Sequence, residues 1–218
     1  MATEQARGSA TRARLLDAAV TAFGNKGFHG TTTRDIAAAA GMSPAAVYVH
    51  HRTKEEILFQ ISAEGHRQIL QVIHDSAAED SGPTDRLAAT VRAFVAFHAE
   101  NHVKARVVNY ELAALTEEHR NEVIKLRRSI TQVFHEIVRA GLQTGDFSVS
   151  DMEISATAIM SLGVDITRWY SPDGPWTPEV LGEIYAESAL RIVGVAAPSS
   201  ALQAHRAGAA GQTAHAAR

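Results

Sequence analysis

The sequence predicts an all-α fold in two parts: an N-terminal three-helix unit with a helix-turn-helix, then a longer C-terminal helical part. Three observations predict it. Capping signals crowd residues 31–57, which marks short helices meeting at sharp angles. Apolar residues recur at helical spacing through most of the remaining chain. Glu79-Asp80-Ser81-Gly82-Pro83 is the clearest break in the chain.

Taken in order, residues 1–10 are small, polar and uncapped, and read as a disordered arm. A helix follows from about Thr11 to Lys26, with Leu15, Leu16, Ala19, Val20 and Phe23 on one face. Gly27 supplies its stop. Arg12 and Arg14 near its start either touch phosphates or are simply solvated. Thr32 caps the next helix, with Asp35 in the capping-box place. Ile36, Ala37 and Ala40 share its inner face, and Gly41 can take the left-handed conformation that ends it. Ser43 is an N-cap and Pro44 a first helical residue, opening a short helix to His50. Val47 packs back toward Ile36 and Ala40. Thr53 and Glu56 form a third box and open a long helix to about Ala78. The first part thus spans residues 11–56 and the second 57–195.

In the second part Thr84 caps a helix to about Asn101, and another covers about Val103 to Leu115. Thr116 caps an amphipathic helix carrying Val123, Leu126, Ile130, Val133, Phe134, Ile137 and Val138 on one side. Ser150 and Glu153 form a box for a helix to about Tyr170 that is apolar on nearly every side. Thr177 caps the last helix, begun by Pro178. A helix buried all round needs partners on two sides. Ile154, Ala158, Leu162 and Ile166, with Leu181, Ile184, Tyr185 and Ile192, are therefore the candidate contacts to a second copy about a two-fold axis. Residues 196–218 lack periodicity and read as a disordered tail.

The chain has 218 residues, 45% of them hydrophobic, enough for a sizeable core. It has no cysteine, which removes disulfides and thiolate metal sites and fits the cytoplasm. No apolar run is long enough to span a bilayer, and the N-terminus lacks a signal-peptide core. Net charge is −3, yet residues 1–54 hold seven Lys/Arg against three acids. Attraction for a polyanion is therefore concentrated at one end.

A helix-turn-helix with a basic surround points to DNA, its second helix entering the major groove. Ser43, Ala45 and Ala46 are small enough to let backbone approach base edges. The Tyr48 hydroxyl can donate to a phosphate, and His50, Arg52 and Lys54 follow it. Phe23, Gly27, Thr31 to Thr33, Ile36-Ala37, Ala40-Gly41, Ser43, Val47-Tyr48, His50 and Lys54-Glu55 together resemble the N-terminal domain of TetR-family transcriptional regulators. The resemblance covers roughly residues 11–60. His51 departs from it, standing where the family often has Phe. The resemblance implies a homodimeric all-helical protein that reads a near-palindromic double-stranded operator, with Thr32, Thr33, Arg34 and Pro44 joining the candidate DNA contacts. It also implies a small-molecule effector in the second part, usually one that releases a repressor. Candidate lining residues are Phe94, Phe97, His98, Tyr110, Phe134, Asp165, Arg168 and Trp169. The stretch from Gly163 to Tyr170 resembles regulators of lipid or acyl-CoA breakdown, so an acyl or lipid effector is expected. No cofactor and no membrane are expected.

Two other classes compete. A metal-binding enzyme would use His98 and His102, four apart, with Glu100 nearby; but His-Glu-x-x-His is absent and no third ligand is evident. No phosphate-binding glycine loop or serine elbow is present. A helical scaffold would dimerise without salt-dependent DNA binding.

Overall fold

A computed structural model describes residues 2–76 and 81–196, without the side chains of residues 2–7 and 50. Regular structure among the described residues is helical throughout. In chain order they form α1 (Ala2–Gly30), α2 (Thr33–Ala39), α3 (Pro44–His50), α4 (Lys54–Ser76), α5 (Pro83–Glu100), α6 (His102–Tyr110), a 3₁₀ turn (Leu112–Ala114), α7 (Glu117–Thr144), α8 (Met152–Trp169) and α9 (Pro178–Ile192). Among the described residues the chain packs as two compact units, one of residues 2–68 with 101–128, the other of 69–76 and 81–100 with 129–196.

In the first unit the predicted caps form. The Thr32 hydroxyl accepts from Asp35 N–H at 3.1 Å, and the Asp35 carboxylate accepts from Thr32 N–H at 2.8 Å. Gly41 ends α2 with φ 64°, where a Cβ would strain the turn. Ser43 caps α3 and Pro44 opens it. The third box is half made: Thr53 accepts from Glu56 N–H, while the Glu56 carboxylate takes Arg52 N–H at 2.6 Å.

The core beneath these turns is Leu15, Ala19, Phe23, Ile36, Val47, Ile57, Leu58 and Ile61. Each large side chain removed from water there contributes about 1.5–3 kcal/mol. Val107, Val108, Leu115 and Val123 complete the same core. The packing therefore does not divide at residue 56, as the caps alone predict. α6 lies against α1, where a Cβ on Gly24 would meet the Val103 side chain at 2.7 Å.

α1 begins at Ala2 rather than near Thr11. The expected arm instead continues the helix, and Ala2, Glu4, Gln5, Ala6 and Arg7 are good helix formers. Gly27 breaks the helix with φ 69° and ψ 168°, as predicted. His51 is buried at the end of α3, its N–H bonded to Val47 O at 2.9 Å, so the departure from Phe leaves the backbone path intact.

The second unit is built on α5, which packs along both α8 and α9. Its core includes Leu87, Val91, Phe94, Val95, Phe134, Ile137, Val138, Ile159 and Ile166. Gly163 lets α8 approach closely, since a Cβ there would stand 2.6 Å from the Phe94 ring. Arg92 and Glu183 pair at 2.5 Å between α5 and α9. Two helix starts differ from expectation, α8 by one residue and α5 by two. α8 is capped by Asp151, which accepts from Ile154 N–H at 2.8 Å, and α5 starts at Pro83. Thr177 caps α9 as predicted. Residues 79 and 80 of the break, and the tail beyond 196, lie outside the described residues.

Candidate functional site

α3 is held by its inner side and displays its outer side. Val47 is fully buried against Ile36 and its neighbours, which fixes the rotation of the helix. That rotation leaves Ser43, Pro44, Ala45, Tyr48 and Val49 exposed, with Ala46 half-buried. The small residues are at the front of α3, so its backbone can come close to a flat partner. Tyr48 is 51% exposed, and its hydroxyl lies 3.2 Å from Thr33 Oγ1. This contact joins the front of α2 to α3. Arg34 and Arg52 are exposed in the same unit. The His50 side chain lies outside the described residues.

Thr32 has a structural duty in addition to its exposure, because its hydroxyl belongs to the capping box. The bonds from the Thr32 hydroxyl and N–H, with Lys26 at 3.2 Å, hold the Asp35 carboxyl down from 3.8 to about 2. The carboxylate therefore stays charged and keeps α2 anchored.

Lys54 has a structural duty of its own. Its ammonium donates to Phe28 O at 2.6 Å and Thr31 O at 2.7 Å, and sits 4.1 Å from the Phe28 ring centroid. The carbonyls between Gly27 and α2 need donors, and Lys54 supplies them. It positions the turn before α2, a structural role in addition to its expected phosphate contact. Conversely, Val49 was missed by sequence reasoning. It is 81% exposed, the most exposed large apolar side chain on α3. The available signal was its place four residues after Ala45, on the same helical face.

The candidate effector residues separate into two sets. Phe94, His98, Phe134 and Phe97 converge in the second unit. Phe94 meets Phe134 edge-on at 5.2 Å and His98 at 4.3 Å; Phe97 meets His98 edge-on at 6.1 Å. His98 Nδ1 lies 2.8 Å from Phe94 O. Asp165, Arg168 and Trp169 do not join them. They are exposed on α8, with Arg168 pairing to Asp165 at 3.7 Å. The reason is rotational: Gly163 and Ile166 face inward, which turns 165, 168 and 169 outward. Tyr110 is exposed and belongs to the first unit. His98 and His102 also fail to form a helical pair, since one is in α5 and the other opens α6.

The candidate dimer residues also divide. Ile166 and Leu181 are buried within their own unit and are corrected from contacts to core. Ile154 (70% exposed), Ala158 and Leu162 (44% exposed) form a stripe at i, i+4 and i+8 on the outside of α8. Ile184, Tyr185 and Ile192 are half-buried on α9. Burial, then the Asp165 carboxylate, pushes the Tyr185 phenol up. Among the described residues, no helix is long and apolar enough to cross a membrane.

Comparison with known sequences settles the family. Residues 15–61 match the model "Bacterial regulatory proteins, tetR family", and residues 80–193 match "Tetracyclin repressor-like, C-terminal domain". The chain belongs to the TetR family. It is a transcriptional regulator of that family and not an enzyme. A crystal structure of a TetR-family regulatory protein from Rhodococcus RHA1 is 45% identical, with TM-score 0.81, covering 85% of this chain and 98% of that one. The HTH-type transcriptional repressor KstR2 of Mycobacterium tuberculosis is 28% identical over 178 residues, covering 80% of this chain and 88% of its own. AibR, solved with isovaleryl coenzyme A and operator DNA, shares the fold at 23% identity and TM-score 0.75, covering 82% and 97%.

Proposed function

We propose that two copies of this chain hold a near-palindromic operator through their α3 helices and let go when an apolar acyl effector, such as an acyl-CoA thioester, binds the second unit. The observation that carries this reading is the displayed outer side of α3, small at its front and set in a basic surround. Thr33, Arg34, Tyr48 and Arg52 contact phosphate and fix register, while Ala45 and Ala46 face the bases. The work is then done beside the chromosome, in the cytoplasm.

One short helix touches few bases, so affinity needs a pair about 34–36 Å apart. The α8 stripe of Ile154, Ala158 and Leu162 supports pairing, because an apolar stripe of this kind is costly to leave in water. AibR with its bound isovaleryl coenzyme A supports the thioester class. The effector needs only to prefer the DNA-incompetent state; a preference of about 1.4 kcal/mol is tenfold in operator affinity. Both α4 and α7 are shared between the two units, so each can carry that preference along the chain.

The test is fluorescence anisotropy of a labelled operator duplex with the full chain, titrated with isovaleryl-CoA, a long-chain acyl-CoA, the free acids and coenzyme A. Release by a thioester at concentrations where coenzyme A alone does nothing supports the reading. Release by none of them, with the operator still bound, would discard the effector class and leave the DNA reading standing.

A further inference from the structure

The outer side of α3 has an unusual chemistry for a surface that must distinguish bases. Its seven residues are Pro44, Ala45, Ala46, Val47, Tyr48, Val49 and His50. None is an arginine, lysine, asparagine or glutamine, the side chains that bond two base-edge atoms at once. Val47 is buried, and the Tyr48 hydroxyl already has Thr33 Oγ1 within reach. What α3 displays instead is apolar: Pro44, Ala45 and, above all, Val49, 81% exposed. A valine so exposed contributes nothing to its own core. Arg34 and Arg52 are exposed in the same unit, so the surround favours a polyanion over an apolar protein partner.

The major groove has one apolar feature, the C5 methyl of thymine. We infer that Val49 is a specificity-determining residue that reads this methyl group, so the operator half-site has thymine where Val49 lands. The inference rests on the DNA-reading function proposed above and adds the base class that the head selects. Ala45 lies on the same face as Val49, one helical turn earlier, with Cβ atoms about 5–6 Å apart. That is near two base-pair steps of about 3.4 Å. Val49 is the larger of the two and supplies the stronger preference. Recognition here is by fit and exclusion of water from a methyl group, not by hydrogen bonding.

The test begins with the full-length protein and a library of randomised duplexes. The enriched duplex is resynthesised with 2′-deoxyuridine replacing one thymidine at a time. Deoxyuridine keeps every hydrogen-bonding edge of thymine and lacks only the methyl. For the wild type, one or two positions in each half-site should weaken binding about fourfold apiece, the worth of one buried methyl. Val49→Ala should bind the thymidine duplex more weakly and lose its sensitivity at those same positions. Its circular dichroism should match the wild type, since Val49 is outside the core. Deoxyuridine tolerated everywhere would overturn the inference, as would a Val49→Ala protein that keeps the full deoxyuridine penalty. If no duplex is enriched at all, the DNA-reading function fails first and the inference falls with it.

Discussion

Replacing Lys54 by Met keeps the aliphatic stem and removes the ammonium. Two charge-assisted hydrogen bonds disappear, to Phe28 O and Thr31 O, together with the cation over the Phe28 ring. Hydrogen bonds to a charged group contribute about 1.5–3 kcal/mol, and a partly exposed cation–π contact adds about 0.5–1 kcal/mol. Lys54 is only half-buried, so water can re-solvate the two carbonyls. The loss is therefore expected below the summed lower ends of about 3.5 kcal/mol, at about 2 kcal/mol per protomer. The assay is urea unfolding followed by circular dichroism at fixed protomer concentration. A parallel measurement takes operator affinity against salt. A residue that positions the turn lowers stability and leaves the salt slope unchanged. A phosphate ligand leaves stability unchanged and reduces the slope by about one. Unchanged stability with a reduced slope would refute the role assigned to Lys54.

Three further outcomes are expected. Leu162→Glu puts a charge in the outer α8 stripe; it should leave a folded monomer by light scattering with operator affinity lost, and a variant that remained dimeric would remove α8 from the interface. Gly182→Ala places a Cβ 2.8 Å from the Arg92 backbone oxygen, so α5 and α9 must separate at a cost of about 1–3 kcal/mol in urea unfolding. Asp35→Asn should be less stable than the wild type at neutral pH. Because the folded carboxyl titrates below its ordinary 3.8, at about 2, its contribution is present above 3.8 and lost as pH falls toward 2. The two proteins should converge across that window, and a gap that persisted unchanged at pH 2 would contradict the capping-box account.

Local chemistry was legible in the sequence where one residue type has one use. Thr32 with Asp35, Gly41, Ser43 with Pro44, and Thr177 with Pro178 each satisfy helix-end groups through bonds within a few residues. Adjacent good caps are harder to rank: Ser150 and Asp151 can both serve, and the latter does. Non-local packing was less legible. Nothing in the periodicity of 101–128 says that Val107, Val108 and Val123 fill the first unit's core. α8 is apolar on most sides, so its pattern alone does not choose an inner face. Close approach to Phe94 chooses it, through Gly163, and so moves Ile166 inward and Asp165, Arg168 and Trp169 outward. Of the candidate DNA contacts, Tyr48, Ala45, Arg34 and Ser43 are exposed as expected. The structural part played by Lys54 was not legible, because nothing in the local sequence says that the carbonyls of Phe28 and Thr31 lie within its reach.

The most direct measurement is the affinity of the purified full chain for its enriched duplex, taken across ionic strength and set against a scrambled duplex. A protein whose paired α3 helices contact several phosphates should lose affinity steeply and linearly in log salt, with two protomers per duplex and a clear preference for the enriched sequence. Affinity indifferent to salt, or equal for both duplexes, would contradict it.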